Sequence, residues 1–269
     1  MNWENLNVLE FEKAIEKSKG VCVLPIGCLE KHGNHLPLGT DIIIARHICE
    51  KAALIEDFVL FPYYPFGQVS EVRHKLGTIA LSAPLQMQLL EAICEEIYRN
   101  GFNKIILANG HGGNNLYLSY FAQSMLDKPR DYDVYTTNLW TLSNKQYEDV
   151  FGKNKITHDG GHADVTETSQ IMAIEPTLVN MDLLDRSETA SLGRNAPYGE
   201  KGIFHGIGWY ADYPHQIAGD PIASTPEFGK DFLDCNIKNL VEVIKLIKND
   251  TTLPSLAKEF FEKSKNPTI

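Results

Sequence analysis

Four residues able to bind metal or move protons crowd twelve positions of the segment CLEKHGNHLPLGTD: Glu30, His32, His35 and Asp41. Glu30 and His32 are two apart, so in extended chain their side chains point to the same side. One carboxylate and one imidazole can then approach one site. Asp41 stands where a helix is expected to begin and can fold back to bridge. Nitrogen and carboxylate donors without cysteine suit zinc, manganese or iron in a catalytic role. Each residue also has a plainer reading. Glu30 beside Lys31 can be surface, His32 and His35 can be loop residues bonded to backbone, and Thr40 or Asp41 can be a helix cap. The cluster outweighs its parts, because carboxylates and histidines seldom crowd one loop by chance. Cys28 adjoins it, but a single cysteine at a strand end reads first as packing.

Two further segments carry chemistry. In NGHGGNN, Asn109 to Asn115, His111 sits just past an apolar run and between glycines, which permit close backbone approach to a ligand. Either His111 ligates a metal, or the turn binds an anion at a helix N-terminus. No G-K-[ST] follows, so this is not a P-loop. In HDGGHADVTETS, His162 and Glu167 are five apart, with His158, Asp159 and Asp164 nearby. A histidine there can shuttle protons near neutral pH. Glu167 opens a helix, where a carboxylate also interacts favourably with the dipole. No G-x-S-x-G elbow offers a serine nucleophile.

The elements that must position these residues alternate. A short amphipathic helix over Leu9 to Lys17 precedes the apolar run VCVLPIG, Val21 to Gly27, a buried strand. A helix follows from Ile42 to about Leu54. FVLFPYYPFG from Phe58 predicts a second buried strand, and Gly77 to Ser82 a short one. Pro84 starts a helix closed by Gly101, the expected asymmetry of Pro at the start and Gly past the end. KIILANG, Lys104 to Gly110, is the next strand, followed by a helix over Leu116 to Leu126 and a strand over Asp133 to Leu139. ETSQIMAI is helical and ended by Pro176. Residues 186–225 read as irregular loops, 228–248 as a long helix, and Pro254 precedes a final short one. Strands alternating with helices predict a mostly parallel sheet covered on both faces. Ligands bind outside the carboxyl ends of such strands, where the loops after Gly27 and Gly110 both lie.

The 269 residues carry a formal net charge of −10, with 25 basic and 35 acidic side chains. That excludes non-specific nucleic-acid binding, which needs basic patches, and disfavours an anionic membrane surface. The five cysteines form no C-x-x-C pair, the usage of a reducing compartment rather than of a disulfide framework. The N-terminal stretch lacks a basic region followed by a continuous apolar one. A single soluble, cytoplasmic domain over 1–269, with no nucleic-acid or membrane partner, is the expectation.

The motifs LPIGCLEKHGNHLPLGTD, LANGHGGNN, GGHADVTETS and AGDPIAST occur in an order and spread over which the chain resembles the creatininase (creatinine amidohydrolase) family. The resemblance implies a three-layer α/β/α sandwich and two divalent metal ions. It implies hydrolysis of a non-peptide C–N bond in a small cyclic or formyl amide, by a hydroxide held between the ions. By it Glu30 and His111 would hold one ion, His32 the other, and Asp41 both. His162 matches the family's catalytic histidine. Gly112 and Gly113 depart from the pattern of creatininase proper, which has a tyrosine and a metal-binding glutamate there, and Glu167 is the nearest substitute. His74, Gly112, Gly113, Trp209 and the turn at Asp220 are expected to shape the substrate pocket. A homo-oligomer is expected, a hexamer by the family pattern. The alternative is a catalytically silent protein that binds or senses a small molecule through metal. A non-metal nucleotide-binding domain is a further rival, opposed by acidic Glu30 and Asp41 at the same sheet edge.

Overall fold

The computed structural model describes residues 1–157 and 161–267. His158 and Asp159, noted above beside His162, lie outside the described residues. Asn7 starts α1 (Val8–Ser18) with a capping box, accepting from the Glu10 N–H while Glu10 accepts from the Asn7 N–H. There follow β1 (Val21–Ile26), α2 (Thr40–Ala52), β2 (Val59–Leu60), α3 (Ala83–Arg99), β3 (Lys104–Asn109), α4 (Asn114–Ser124) and β4 (Asp133–Asn138). Then come α5 (Asn144–Tyr147), α6 (Val165–Ile174), α7 (Ala196–Gly199), α8 (Gly208–Asp212), α9 (Pro226–Lys248) and α10 (Thr252–Lys265). Among the described residues no helix is long and apolar enough to cross a membrane.

The four strands form one all-parallel sheet in the order β2-β1-β3-β4. Ile26 pairs with Asn109 and Asn109 with Asn138, so three strands end level at one edge. Alternation along β1 sends Val21 and Val23 to one face and Cys22, Leu24 and Ile26 to the other. The first face packs on Ile44 and Ile48 of α2, Ile171 of α6, and Leu233, Ile237 and Leu240 of α9. The second packs on Ala14 of α1, Leu90 and Ile97 of α3, and Phe121 of α4. This is the expected three-layer α/β/α sandwich, with a sheet wholly rather than mostly parallel.

Two expected strands are cut back. The run from Phe58 pairs as a strand only over Val59–Leu60, with one further bridge between Tyr64 and Ile26. Pro62 and Pro65 have no N–H to donate, so the ladder cannot continue through them. Gly77 to Ser82 is not a strand. Its neighbour is the loop after β1, to which the Ile79 N–H donates once, at the Leu29 carbonyl. Residues 186–225 are largely irregular, as expected, apart from short helical turns.

The helix that carries Glu167, α6, is set by its contact with α9. Gly229 lies at that crossing, where an added Cβ would meet the Ser169 carbonyl oxygen at 1.9 Å and its carbon at 2.3 Å. Backbone cannot yield as a side-chain tip can. Gly229→Ala is therefore expected to destabilise the protein by about 3 kcal/mol, the upper range for overpacking. Urea unfolding would check this, and a loss under about 1 kcal/mol would show that the helices can part.

Candidate metal centre

The loop leaving β1 is held against the first face of the sheet by hydrogen bonds at several points. The Glu30 N–H donates to the Leu38 carbonyl (3.0 Å), the Gly33 N–H to that of Gln216 (2.9 Å), and the Asn180 N–H to that of His35 (2.9 Å). The His35 ring is buried and bonds the Thr168 hydroxyl of α6 at 3.0 Å, so it ties the loop to that helix. Neither Thr40 nor Asp41 caps α2. Gly39 is the cap residue, the Thr40 hydroxyl donates to the Pro37 carbonyl, and no side chain closes the helix end. The Asp41 carboxylate instead points into the site, where capping cannot account for it.

Asp41 faces a different histidine with each oxygen. Its Oδ1 is 3.1 Å from His32 Nε2, and its Oδ2 is 2.9 Å from His111 Nδ1. Glu30 Oε1 is also 2.9 Å from His111 Nδ1, and Glu167 Oε2 is 3.5 Å from His32 Nε2. Two donor sets thus share Asp41: Glu30, Asp41 and His111, joined by Cys28, and His32, Asp41 and Glu167. The far nitrogen of each ring is occupied. His111 Nε2 donates to the Gln68 carbonyl at 2.7 Å, and His32 Nδ1 to that of Glu30 at 3.3 Å. This leaves His111 Nδ1 and His32 Nε2 free to present lone pairs, as outer hydrogen bonds do for metal-ligating histidines. His162 lies beside both sets, its ring 4.2 Å from that of His32 and its Nε2 3.9 Å from Glu30 Oε2. That nitrogen donates to the Lys31 carbonyl at 3.0 Å.

Burial by itself would push the Glu30 and Asp41 carboxyls up, but facing histidines outweigh it and hold both low. Those histidines are His111 and His162 for Glu30, and His32 and His111 for Asp41. Burial opposes protonation of His32, yet Asp41 and Glu167 raise it to about 10. His111 is raised likewise, against its burial, by Cys28, Glu30 and Asp41. Burial lifts Glu167 to about 8, with His32 opposing and Asp41 assisting. His162 is lowered by burial and then by His32, and His35 is lowered to about 4 for the same reasons. Among the described residues, the charged partners of these three carboxylates are histidines and never Lys or Arg. A donor set of buried carboxylates and imidazoles, short of cations, fits divalent metal.

Gly113 packs under the ring of His111. A Cβ there would come within 2.5 Å of His111 Nε2 and 2.8 Å of the Gln68 carbonyl oxygen, breaking the bond that orients His111. Gly112 has open space and lines a cleft of about 420 Å³. Glu167, Thr166, Gln170, Trp140, Tyr147 and Phe151 share its walls. The other pocket candidates lie elsewhere. Trp209 packs edge-on to His162, ring centres 5.6 Å apart, and donates to Gln216. His74 stands between the carbonyls of Glu71 and Pro214, and Asp220 pairs with Arg186 while capping the turn after it. None of these three lines the cleft. Sequence reading missed the Trp140 wall and the approach of Cys28. The first was findable, because Trp140 follows β4 at the same carboxyl edge as the other motifs.

The parallel α/β/α sandwich thus carries, at the carboxyl edge of its strands, a buried histidine–carboxylate cluster able to hold metal. Residues 4–244 match the creatininase family, described as creatinine amidohydrolase, and the chain belongs to that family. Creatinine amidohydrolase of Pseudomonas putida is 25% identical over 185 residues, covering 64% of this chain and 71% of that one. The mycofactocin precursor peptide peptidase of Mycobacterium ulcerans is 28% identical over 222 residues, covering 77% and 78%. A solved mutant creatininase of Zn-Zn type superposes with a TM-score of 0.77 at 20% identity, covering 93% of this chain and 98% of that one.

At pH 7 the metal-free site holds protons on His32, raised to about 10, and on Glu167, raised to about 8. Metal bound through those two groups would displace their protons, so uptake is expected to release protons and affinity to rise with pH across this range. Zinc titration calorimetry in two buffers of different ionisation enthalpy is expected to give clearly different heats at pH 7. Equal heats would mean that the ligands were already deprotonated.

Proposed function

We propose that this protein is a metal-dependent amidohydrolase that cleaves a non-peptide C–N bond of a small cyclic or formyl amide. We read the chain as one such domain over 1–269. Glu30, Asp41 and His111 would hold one divalent ion, and His32, Asp41 and Glu167 a second. The observation that carries this reading is the two-sided Asp41, with one oxygen toward each histidine. The ions, once bound, would acidify a water and polarise the amide carbonyl.

The remaining steps belong to the protein. Burial favours the neutral form of His162, with its Nε2 proton held on the Lys31 carbonyl, so its other ring nitrogen would take a proton from the attacking water and pass that proton to the leaving nitrogen. The Trp140, Tyr147 and Phe151 wall would hold the uncharged body of a substrate, with Gln170 and Gly112 beside it. A cleft of about 420 Å³ suits a small molecule. Among the described residues its lining includes no Lys or Arg, which disfavours phosphorylated substrates. Trp209 packs edge-on against the His162 ring, and His74 bonds the Pro214 carbonyl in the segment that follows Trp209.

Elemental analysis after metal-replete purification is expected to find two ions per chain in the wild type, almost none in Asp41→Ala, and about one in His32→Ala. His162→Ala should keep its metal yet lose roughly 10²–10⁴ in turnover on the best of a panel of cyclic, formyl and small linear amides. Full metal with no turnover of any amide would favour the catalytically silent binding protein instead. We also propose a homo-oligomer, hexameric by family pattern, supported by exposed Tyr198, Phe204 and Ile207 in one loop region. Light scattering that found only a particle of the 30.2 kDa chain mass at micromolar concentration would remove this part of the reading.

A further inference from the structure

The two donor sets differ in number, chemistry and exposure. The first holds four ligand atoms, because Cys28 Sγ lies 3.2 Å from Asp41 Oδ2 and 3.4 Å from Glu30 Oε1. Tetrahedral zinc, with bonds of about 2.0 Å to nitrogen or oxygen and about 2.3 Å to sulfur, separates its ligands by roughly 3.3 Å and 3.5 Å respectively. The separations here are 2.9 Å from His111 Nδ1 to each carboxylate oxygen, and 3.2 and 3.4 Å from sulfur to oxygen. Shifts of a few tenths of an ångström would therefore admit the ion. Cys28, Glu30 and Asp41 are at most 1% exposed, and His111 is 6% exposed. The second set has three protein ligands, and one of them, Glu167, has an 18% exposed side chain and lines the cleft.

We propose that the two positions are unequal: Cys28 adds a fourth protein ligand to Glu30, Asp41 and His111 and makes that position the tighter, zinc-selective one, while His32, Asp41 and Glu167 form the more open position beside the cleft. This rests on the metal-centre reading above. A fourth protein ligand tightens the hold on an ion, and a position with three leaves more room for water or substrate. A thiolate favours zinc over manganese, whereas the all-nitrogen-and-oxygen open set discriminates less. On binding, the Cys28 thiol gives its proton to solvent as its sulfur lone pair binds the ion, so no oxidant or reductant is involved. The competing account makes Cys28 a packing residue against Val69 and Val72, which also touch it.

The test uses the full chain stripped of metal and reloaded with two equivalents of cobalt(II). An intense near-ultraviolet thiolate-to-cobalt charge-transfer band is expected in the wild type and absent in Cys28→Ser. Competition between zinc and manganese should show the zinc preference of the tighter site falling by about tenfold or more in that variant. Zinc-edge X-ray absorption of the wild type with one equivalent of zinc needs no variant, and should show one sulfur neighbour. Two bound ions without a charge-transfer band or sulfur neighbour would overturn this inference and leave the amidohydrolase reading standing. No bound metal at all would overturn both. A sulfur-ligated ion in a protein that turns over no amide would support the unequal sites and count against the proposed reaction.

Discussion

Glu30, Asp41 and Glu167 stand together at the end of a hydrophobic sheet, and among the described residues no Lys or Arg pairs with them. Glu30 and Asp41 are out of water, and Glu167 nearly so. Removing a charge from water costs several kcal/mol unless a partner replaces the lost hydration. In the metal-free protein protonated histidines do this, which is why His32 and His111 are driven so far toward the charged form. The same residues are the natural partners of divalent ions. The local fold is thus built around a positive charge that the chain itself supplies only by borrowing protons.

That demand shapes the surrounding elements. The loop after β1 is pinned to Gln216, Asn180 and α6, so His32 cannot swing away from Asp41. His111 is fixed from behind by Gln68. The strand β3 delivers His111 level with the end of β1 because the parallel register pairs Ile26 with Asn109. Ala163 takes a left-handed backbone angle, φ 53°, in the turn between His162 and α6. Such a conformation costs a non-glycine residue about 1 kcal/mol or more, and here it accompanies the Glu167 carboxylate accepting the Ala163 N–H. Strain in the turn is balanced by a bond made to the very carboxylate that the site uses.

Gly113 and α6 bear on the same cluster from two sides. With glycine there, the ring of His111 lies close over the backbone, and α6 brings the Glu167 carboxylate beside His32. A ligand on a helix held by α9 brings the cleft wall with it, since Thr166 and Gln170 of the same helix line that cleft. The choice of ligand and the shape of the pocket are therefore linked through one helix.

Much of this was legible from residue order. The apolar runs Val21 to Gly27 and Lys104 to Gly110, each closed by glycine, predicted buried parallel strands, because only a sheet covered on both faces tolerates apolar residues without alternation. The spacing of Glu30 and His32, and the chemistry of Asp41 and His111, pointed to a metal site at the strand ends. Proline was underweighted after Leu60, where missing donors end the ladder. What tertiary structure alone decided is which side chains meet. The contact between His32 and Glu167 joins residues 135 positions apart through the packing of α6 on α9. The place of Cys28 was equally hidden, because packing and ligation look identical in a sequence and differ only in where the sulfur points. Local patterns fix elements through periodicity and backbone chemistry, but convergence on a site depends on distances between elements, which only the packed core sets.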